Sequence, residues 1–283
     1  MRKWIVMMTD FGPDNIGTAT MRGVAASVDS ELQLTDLTNS IEPFNIWQAS
    51  DALMYTEPFW PAGTVFVSVV DPGVGTSRRA CVARLRDGKY VVTPDNGTLT
   101  HLAAQVGIEA VREIDERVNR LHGTEKTSVF HGRDLFAYTA ARLAAGIIDF
   151  EGVGPAYPVE EIVRCDKPLS AEVCDGNLTG RVTSISRYLG NLFTNIRTQD
   201  MEDNGFVTGE RYRVVLTGES TGRTAFDEEV TYAVSFGHVK RGQALIFNGS
   251  TLYLCVAINQ DSFARKYQLD PAEEWKVEVK KHE

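Results

Sequence analysis

The sequence predicts an α/β N-terminal domain with a largely parallel central sheet, followed by an all-β C-terminal domain. In the first half, apolar strand-like runs alternate with helix-like segments, which is typical of a parallel sheet with helices on its faces. After about residue 170 the helical patterns almost vanish, and short β-rich runs separated by turn residues replace them, as in a small barrel or sandwich. Gly- and Pro-containing segments at 152–158 and 165–168 mark the change. We therefore predict two domains, 1–165 and 170–283.

Local patterns define the elements of the first domain. Strands are predicted at residues 5–9, 32–37, 65–70 and 90–94. Helices are predicted at residues 15–28, 45–55, 98–106 and 134–146. The last helix is the clearest, because its start at Asp134 suits the positive end of the helix dipole and Gly146 suits a C-terminal cap.

In the second domain, the clear local patterns are those of strands. The β-rich runs are residues 178–185, 212–217, 230–234, 244–247, 252–258 and 275–279. Turn residues separate them, for example Asp175-Gly-Asn and Asn248-Gly-Ser. There is no internal repeat and no low-complexity segment.

Composition and charge exclude several classes of protein. A chain of 283 residues with 43% hydrophobic and 24% charged residues has the composition of a soluble globular protein. No run of about 18 apolar residues occurs, and the N-terminal apolar stretch is too short for a signal peptide. The net charge of −9 argues against nucleic acid, which needs a basic surface. We expect a cytoplasmic protein with a small-molecule substrate and with neither a nucleic-acid nor a membrane partner.

The residues that bind metals or cofactors in common motifs are not arranged in those motifs here. The four cysteines form no C-x-x-C pair, so we expect reduced thiols. The sequence also lacks a G-x-G-x-x-G at the first strand, a Walker loop and an H-E-x-x-H motif. Asp10, Asp14 and Asp71 could in principle bind a divalent cation, but such sites usually recruit more carboxylates close together. We therefore expect no metal and no cofactor.

Three of the strand-like runs end on an aspartate, at Asp10, Asp71 and Asp95, and turn residues follow each one. In an open α/β sheet, ligands bind beyond the carboxyl ends of the strands. Three carboxylates at one such edge would make a polar site on a rigid frame. The alternative is that Asp simply favours turns and helix N-caps.

The loop that follows Asp71 contains two glycines and returns to Arg78 and Arg79, where another apolar run begins. Seven residues of looped chain can place Arg78 beside Asp71, and the glycines permit close approach of a ligand. The alternative is an exposed ion pair in a surface turn, which contributes at most about 1 kcal/mol.

One histidine has a distinctive position in the sequence. His131 precedes Gly132 just before the clearest helix, where the positive end of the helix dipole favours a neutral imidazole or developing negative charge. The alternative is an ordinary loop histidine, which we favour for His101, His122, His238 and His282. In the second domain, Gly190-Asn191 inside a strand pattern indicates a bulge, a close ligand contact or simply a turn.

Six short motifs then occur in the order in which one enzyme family carries them, spread over nearly the whole chain. They are Thr9-Asp10-Phe11-Gly12, Val70-Asp71-Pro72-Gly73-Val74-Gly75-Thr76, Arg78-Arg79, Pro94-Asp95-Asn96-Gly97, Phe130-His131-Gly132-Arg133-Asp134 and Gly190-Asn191-Leu192-Phe193-Thr194-Asn195-Ile196. The sequence resembles the S-adenosyl-L-methionine (SAM) hydroxide adenosyltransferases, also called adenosine-forming SAM hydrolases, which are relatives of the fluorinase and chlorinase.

The resemblance implies an N-terminal α/β domain, a C-terminal β-barrel and a homotrimer whose sites lie between the N-terminal domain of one subunit and the C-terminal domain of a neighbour. It also implies a reaction in which water or hydroxide attacks ribose C5′ of SAM and expels methionine, giving adenosine. The family's catalytic Asp-Arg-His set falls on Asp71, Arg78 and His131. Its ribose-binding aspartate falls on Asp10, and its aromatic residue near the sugar falls on Phe44. The other substrate contacts that we expect are Val74, Phe130, Gly132, Asn191, Phe193, Phe236 and Ser250.

The chemistry suits the three catalytic positions. The sulfonium of SAM leaves as a neutral thioether, so the barrier lies mainly in positioning and desolvating the nucleophile. Arg78 is permanently cationic and can stabilise hydroxide, His131 can accept a proton, and Asp71 can orient either of them. Asp10 can accept two hydrogen bonds from a ribose diol.

The related halogenases resemble each other in carrying Tyr at the positions of Asp71 and His131, so this chain has the hydrolase pattern. Gly132 differs from the serine with which the fluorinase holds its halide, although the chlorinase also has glycine there. A carboxylate at Asp71 would repel a halide in a tight pocket. We therefore expect water rather than halide as the nucleophile.

Two segments depart from the family pattern. Ser186 stands where the family usually has the aspartate that binds the methionine ammonium, so recognition of the methionine end is weaker or shifted. Residues 259–264 resemble the counterpart in the chlorinase, which leaves the adenine contacts open. Two alternative functions also remain, namely a chloride-dependent SAM halogenase and a non-catalytic sensor of SAM or adenosine.

Overall fold

The chain divides into two units after Asp166. A seven-stranded sheet with helices on its faces forms the first unit. The computed structural model describes residues 4–281. The strands of the first unit are β1 (Trp4–Thr9), β2 (Gln33–Thr38), β3 (Val65–Val69), β4 (Ala80–Leu85), β5 (Tyr90–Pro94), β6 (Ile108–Glu113) and β7 (Ala156–Tyr157). Their order in the sheet is β2-β1-β3-β5-β4-β6-β7.

The sheet is parallel from β2 through β1 and β3 to β5, and antiparallel from β5 through β4 and β6 to β7. Only a short turn at residues 86–89 joins β4 to β5, and such a turn can connect only antiparallel neighbours. The predicted α/β fold class is confirmed, with a mixed rather than a largely parallel sheet. The parallel half of the sheet contains the three strands that end on aspartates.

Helices cover both faces of this sheet. They are α1 (Ile16–Val28), α2 (Ile46–Thr56), α3 (Thr100–Gln105), α4 (Glu116–Asn119) and α5 (Tyr138–Ala145). Alternate residues of β1 pack on opposite sides, so that Ile5 and Met7 join one apolar core and Val6 and Met8 join the other. This two-sided burial explains why the strands are continuously apolar in the sequence.

The helix predicted at residues 134–146 starts two residues earlier than expected. A π-helical turn, Gly132–Ala137, leads directly into α5, and Gly146 ends the helix in the left-handed conformation at φ 73°. The predicted C-terminal cap is thus confirmed. Wide turns of this kind are frequent at functional sites, and this one begins immediately after His131.

The second unit is a closed barrel. Its strands are β8 (Glu172–Cys174), β9 (Asn177–Ile185), β10 (Leu192–Arg197), β11 (Arg211–Gly218), β12 (Thr224–Tyr232), β13 (Ala244–Asn248), β14 (Tyr253–Ile258) and β15 (Trp275–Lys280). Two short helices, α6 (Thr198–Asp203) and α7 (Phe263–Lys266), lie between them. Seven strands, β9 to β15, close into a ring because β9 pairs with both β10 and β15, and β8 extends β9 from outside. The predicted all-β class of this half is confirmed, as a barrel.

Three further points concern the domain boundary, the ends of the chain and membrane-spanning helices. The two units divide after Asp166, and the predicted domain bounds, 1–165 and 170–283, stay a prediction. Residues 1–3 and His282 lie outside the described residues. Within the described part of the chain, no helix has the length and apolar character needed to cross a membrane.

His101 is not the ordinary loop histidine that the sequence suggested. It is buried in α3, and its burial makes stability depend on pH. His101 is 3% exposed, its ring meets Trp47 at a centroid distance of 4.4 Å, and its Nδ1 lies 2.9 Å from Ser50 Oγ. Burial lowers the pKa of His101 from 6.5 to about 4. Between these values the unfolded chain binds a proton that the folded chain does not, so the free energy of unfolding should fall as the pH is lowered from 6.5 to 4, by up to about 3 kcal/mol.

Urea unfolding at several pH values checks this expectation. His101→Asn, which keeps an oxygen near Ser50, should flatten the decline between pH 6.5 and 4. The control His122→Asn changes a fully exposed imidazole and should leave the slope unchanged. An equal slope in His101→Asn and the wild type would mean that this ring does not govern acid unfolding.

Candidate active site

The ends of β1, β3 and β5 bring three aspartates to one edge of the sheet. Asp10 follows β1 directly, Asp71 lies two residues beyond β3, and Asp95 follows β5. Because the three strands are parallel neighbours, these residues emerge on the same side. They do not form one cluster, however. Asp10 and Asp71 line a cavity, whereas Asp95 has other partners.

Asp71 and Arg78 form a buried ion pair. The Arg78 Nε lies 3.0 and 3.1 Å from the two carboxylate oxygens of Asp71, and its Nη2 donates to Asp71 Oδ2 at 2.6 Å. The side chains are only 5% and 10% exposed, for Asp71 and Arg78 respectively. The loop prediction is confirmed in this respect, and the alternative of a solvated surface pair is wrong. Removal of either partner would leave a buried charge without its counter-ion.

The glycine-rich loop shapes this pair. Gly75 has φ +75°, and a Cβ there would lie 3.0 Å from the carbonyl oxygen of Ser128. Glycine is therefore required both by the backbone conformation and by the close approach of the segment that leads to His131.

His131 extends the ion pair into a chain of three side chains. Its Nδ1 lies 2.8 Å from Arg78 Nη2. A guanidinium can only donate, so Nδ1 accepts, and the neutral ring then carries its hydrogen on Nε2. The ring is 4% exposed, and Nε2 has no hydrogen-bond partner among residues 4–281. In this tautomer Nε2 donates, and a role as proton acceptor would require Arg78 to release Nδ1.

The surroundings keep this imidazole neutral. Burial is the main reason that the pKa of His131 lies below its usual 6.5, and the positive charge of Arg78 is the next. Arg120 lowers this pKa further, while Glu116 and Asp71 oppose the change. The sequence prediction of a neutral histidine agrees with this direction.

A cavity of about 250 Å³ opens beside these side chains. This volume is close to the lower limit of small-molecule pockets, which is about 300 Å³. Its lining residues are Asp10, Phe11, Pro43, Phe44, Val69, Asp71, Val74, Val129, Phe130, His131 and Gly132. The structure thus gathers all the predicted substrate-binding residues of the first unit around one space, with Arg78 held through Asp71 and His131.

Sequence reasoning missed four of these lining residues, namely Phe11, Pro43, Val69 and Val129. Each one adjoins, or lies two residues from, a predicted site residue, so their proximity in sequence was the available signal. The Val129 side chain is 79% exposed, next to the half-buried Phe130.

Phe44 is held over the cavity in a strained conformation. Its backbone has φ 65°, its side chain is 70% exposed, and its N–H donates to Asp10 Oδ2 at 2.9 Å. A bulky residue rarely occupies this left-handed region, and such strain persists where the surrounding structure enforces it. Asp10 therefore orients Phe44 while its Oδ1 and remaining lone pairs stay available to a ligand.

Gly132 has little room for a side chain. A Cβ there would lie 3.2 Å from the Phe130 ring, 3.2 Å from Val69 Cγ1 and 3.4 Å from Met21 Sδ. Any larger residue would have to displace these neighbours, so the crowding favours glycine on the cavity side of His131.

Four predicted binding residues belong to the second unit. Asn191 is buried before β10, and its carbonyl accepts from the N–H of Ser186 at 2.8 Å. Phe193 lies on β10, Phe236 packs on Phe247 at a centroid distance of 4.7 Å, and Ser250 lies in the turn between β13 and β14. Their part in a substrate site stays a prediction. Among residues 4–281, no three His, Cys, Asp or Glu side chains form a group that could hold a metal ion.

Comparison with known proteins identifies similar chains. Residues 5–154 match the N-terminal domain model of the SAM hydroxide adenosyltransferases, and residues 180–276 match the C-terminal domain model. The chain is 31% identical over 275 residues to an (R)-S-adenosyl-L-methionine hydrolase from Salinispora tropica, with 97% of each chain covered. It is 28% identical over 289 residues to a fluorinase from an Actinoplanes species, with 94% of each covered.

A solved structure has the same fold. The crystal structure of a conserved protein from Thermotoga maritima superposes with a TM-score of 0.85 at 29% sequence identity. The match covers 96% of this chain and 99% of that one.

Proposed function

Because this chain belongs to the SAM hydroxide adenosyltransferase family, a family of enzymes, we propose that it hydrolyses SAM to adenosine and L-methionine. The observation that carries the proposal is the buried chain of contacts from Asp71 through Arg78 to His131 beside the cavity. A site that only bound a ligand would not need two buried charges and an imidazole in contact with each other. The sensor alternative is therefore disfavoured.

The proposed reaction is a direct displacement. The oxygen of water or hydroxide forms a bond to ribose C5′ as the bond from C5′ to sulfur breaks. The bonding electron pair stays on sulfur, which becomes the neutral thioether of methionine, and a proton from an attacking water leaves to solvent. Loss of the sulfonium charge makes sulfur a good leaving group, so the protein mainly has to place and desolvate the oxygen.

The proposed roles follow from donors and acceptors. Arg78 supplies positive charge that stabilises hydroxide, and Asp71 fixes the guanidinium through its Nε and Nη2. His131 is neutral, and its Nε2 has no hydrogen-bond partner within the part of the chain that the structure describes, so it holds the oxygen by donating a hydrogen bond. Asp10 accepts from the ribose hydroxyls and Phe44 packs on the sugar, with further contacts from Val74, Phe130, Gly132, Asn191, Phe193, Phe236 and Ser250.

The identity of the nucleophile, water or halide, is the most specific part of the proposal, since the relatives include hydrolases and fluorinases. Asp71 places a carboxylate at the cavity, and a buried carboxylate disfavours a halide nearby. A side chain at residue 132 would also have to displace its neighbours, which disfavours an additional hydroxyl group that would hold a halide.

Product analysis tests the proposal. The purified protein is incubated with SAM and chloride in isotopically labelled water. We expect adenosine with the label at its 5′-oxygen. Formation of 5′-chloro-5′-deoxyadenosine would identify a halogenase, and unchanged SAM would favour the non-catalytic sensor.

We further propose that the protein is a homotrimer, as the family resemblance implies, and that it works in the cytoplasm. Light scattering on the purified protein tests the oligomeric state. A mass of three chains supports the trimer, and a mass of one or two chains contradicts it.

Asp10→Ala should weaken substrate binding. It removes the acceptor proposed for the ribose and the acceptor that holds the N–H of Phe44. Hydrogen bonds to a charged group contribute about 1.5–3 kcal/mol, so KM for SAM should rise about 10- to 100-fold. Steady-state kinetics measure this, with Asp14→Ala, an exposed neighbouring carboxylate, as the control. An unchanged KM would remove Asp10 from the binding site.

A further inference from the structure

The third strand-end aspartate has no contact in the proposed mechanism, yet it is more deeply buried than the other two. The Asp95 side chain is 1% exposed. Its Oδ2 accepts from the Tyr157 hydroxyl at 3.0 Å, and its Oδ1 accepts from the N–H of Val163 at 2.9 Å. Burial is the main cause that raises the pKa of Tyr157, so this hydroxyl keeps its proton and donates. Asp95 is thus rigidly held in a protein interior.

The positive partner of Asp95 is Arg79. The Arg79 Nε lies 3.5 Å from Asp95 Oδ2, and the Asp95 N–H donates to the Arg79 carbonyl at 2.9 Å. Arg79 also stacks on the Tyr157 ring at 4.3 Å and donates to Glu161 at 2.9 Å. The main chain of Asp95 therefore holds the backbone of Arg79, and its carboxylate, together with Glu161, holds the Arg79 side chain.

The neighbour of Arg79 in the sequence is Arg78, whose guanidinium makes the contacts to Asp71 and His131. The two arginines immediately precede β4, which pairs with β5 from Ala80 opposite Pro94 onward. Because Arg79 is tied to Asp95, the backbone of the adjacent residue 78 is restrained as well. The contact from Arg78 to His131 spans 2.8 Å and tolerates little displacement.

We propose that Asp95 is a positioning residue, which holds Arg79 and thereby keeps the Arg78 guanidinium in contact with Asp71 and His131. Its effect on catalysis rests on the proposed hydrolysis of SAM, whereas its effect on geometry does not. Asp95 thus acts on the site through Arg79 and Arg78, although it does not line the cavity.

Asp95→Asn tests the proposal directly, because an amide still accepts from Val163 but has no charge for Arg79. Arg79→Gln tests the same link from the other side, at a side chain that is 31% exposed and so tolerates change. Glu57→Gln is the matched control. Glu57 is a buried carboxylate paired with Lys89, which precedes β5 at the end opposite Asp95. All three variants break a buried or half-buried ion pair of the first unit.

Two measurements separate positioning from general destabilisation. The first is steady-state kinetics with SAM. The second is an NMR pH titration of the His131 ring, which needs no turnover. The charges that bear on this ring are those of Arg78, Asp71, Glu116 and Arg120. If Arg78 withdraws, its charge no longer lowers the pKa of His131, so the pKa should rise toward 6.5.

We expect kcat to fall at least about 10-fold in Asp95→Asn and Arg79→Gln, with KM changed less than about twofold. A displacement of about 1 Å at a catalytic group can cost about 100-fold, which sets the upper end of the expected loss. The His131 pKa should rise in both. Glu57→Gln should lower the melting temperature but leave kcat and the His131 pKa unchanged.

An unchanged His131 pKa in folded Asp95→Asn and Arg79→Gln would overturn the proposal, as would equal losses of kcat in the Glu57→Gln control. If Asp95→Asn does not fold, Arg79→Gln decides alone. If the wild type does not hydrolyse SAM, the proposed function fails, and the titration still tests the positioning of Arg78.

Discussion

Replacement of Arg78 by alanine should abolish most of the hydrolysis of SAM. The guanidinium makes hydrogen bonds to both Asp71 and His131, so its loss removes the proposed stabilisation of hydroxide and disconnects the other two side chains. Loss of one preorganised donor to a developing charge costs about 100- to 1,000-fold in kcat. We expect a loss at the upper end of this range, measured as release of adenosine at saturating SAM.

Stability complicates this single variant, because Asp71 would remain buried without its counter-ion, at a cost of about 3–5 kcal/mol. The double variant Asp71→Ala with Arg78→Ala removes both charges and should regain much of that stability while staying inactive. Arg78→Lys keeps the charge but cannot donate from two nitrogens to Asp71, so its kcat should fall about 10-fold or more. Arg117→Ala, at a side chain 90% exposed, is the control. Full turnover in the folded double variant would refute a catalytic role for the pair.

Replacement of His131 by asparagine should have the second largest effect. His131 is proposed to hold the nucleophile by donating a hydrogen bond. Loss of one such preorganised donor costs about 100- to 1,000-fold, so we expect kcat to fall by at least the lower value with little change in KM. The neutral ring is the form that accepts from Arg78 at Nδ1, so protonation at low pH should inactivate the enzyme. Because burial and Arg78 lower the pKa of His131, this acid limb of kcat/KM should lie below pH 6.5.

The pH profile distinguishes this role from a purely structural one. His131→Asn should lack the acid limb of the wild type, while His122→Asn, at an exposed ring, should keep it. A limb that persists unchanged in His131→Asn would show that another group titrates. A profile centred above pH 6.5 in the wild type would contradict the neutral, buried environment of this ring.

The sequence predicted the elements of this fold where the pattern was local. The helix from residue 15 is capped by Asn15, whose side chain accepts from the N–H of Gly17, and the helix at 45–55 begins similarly at Asn45. Each strand end with an aspartate is also where it was expected. Two-sided burial and turn chemistry act over a few residues, so a single sequence reveals them.

The parts that the sequence did not reveal depend on contacts between distant segments. Nothing local separates Asp95, which binds Tyr157 and Val163, from Asp10 and Asp71 at the same sheet edge. Likewise, the left-handed backbone of Phe44 is stabilised by a carboxylate 34 residues away. The assignment of Asp71, Arg78 and His131 to catalysis came from the family resemblance, because spacing alone left an ordinary surface turn as an alternative.

The order of strands in the barrel has a consequence for biosynthesis. β15 lies between β9 and β11 in the ring, with Lys276 opposite Arg181. The ring therefore cannot close until the ribosome has translated residues 275–280, whereas every strand of the first unit is complete by Tyr157. Because such long-range pairing is slow and domains tend to fold in order of synthesis, we expect the nascent barrel to be the stage most dependent on chaperones.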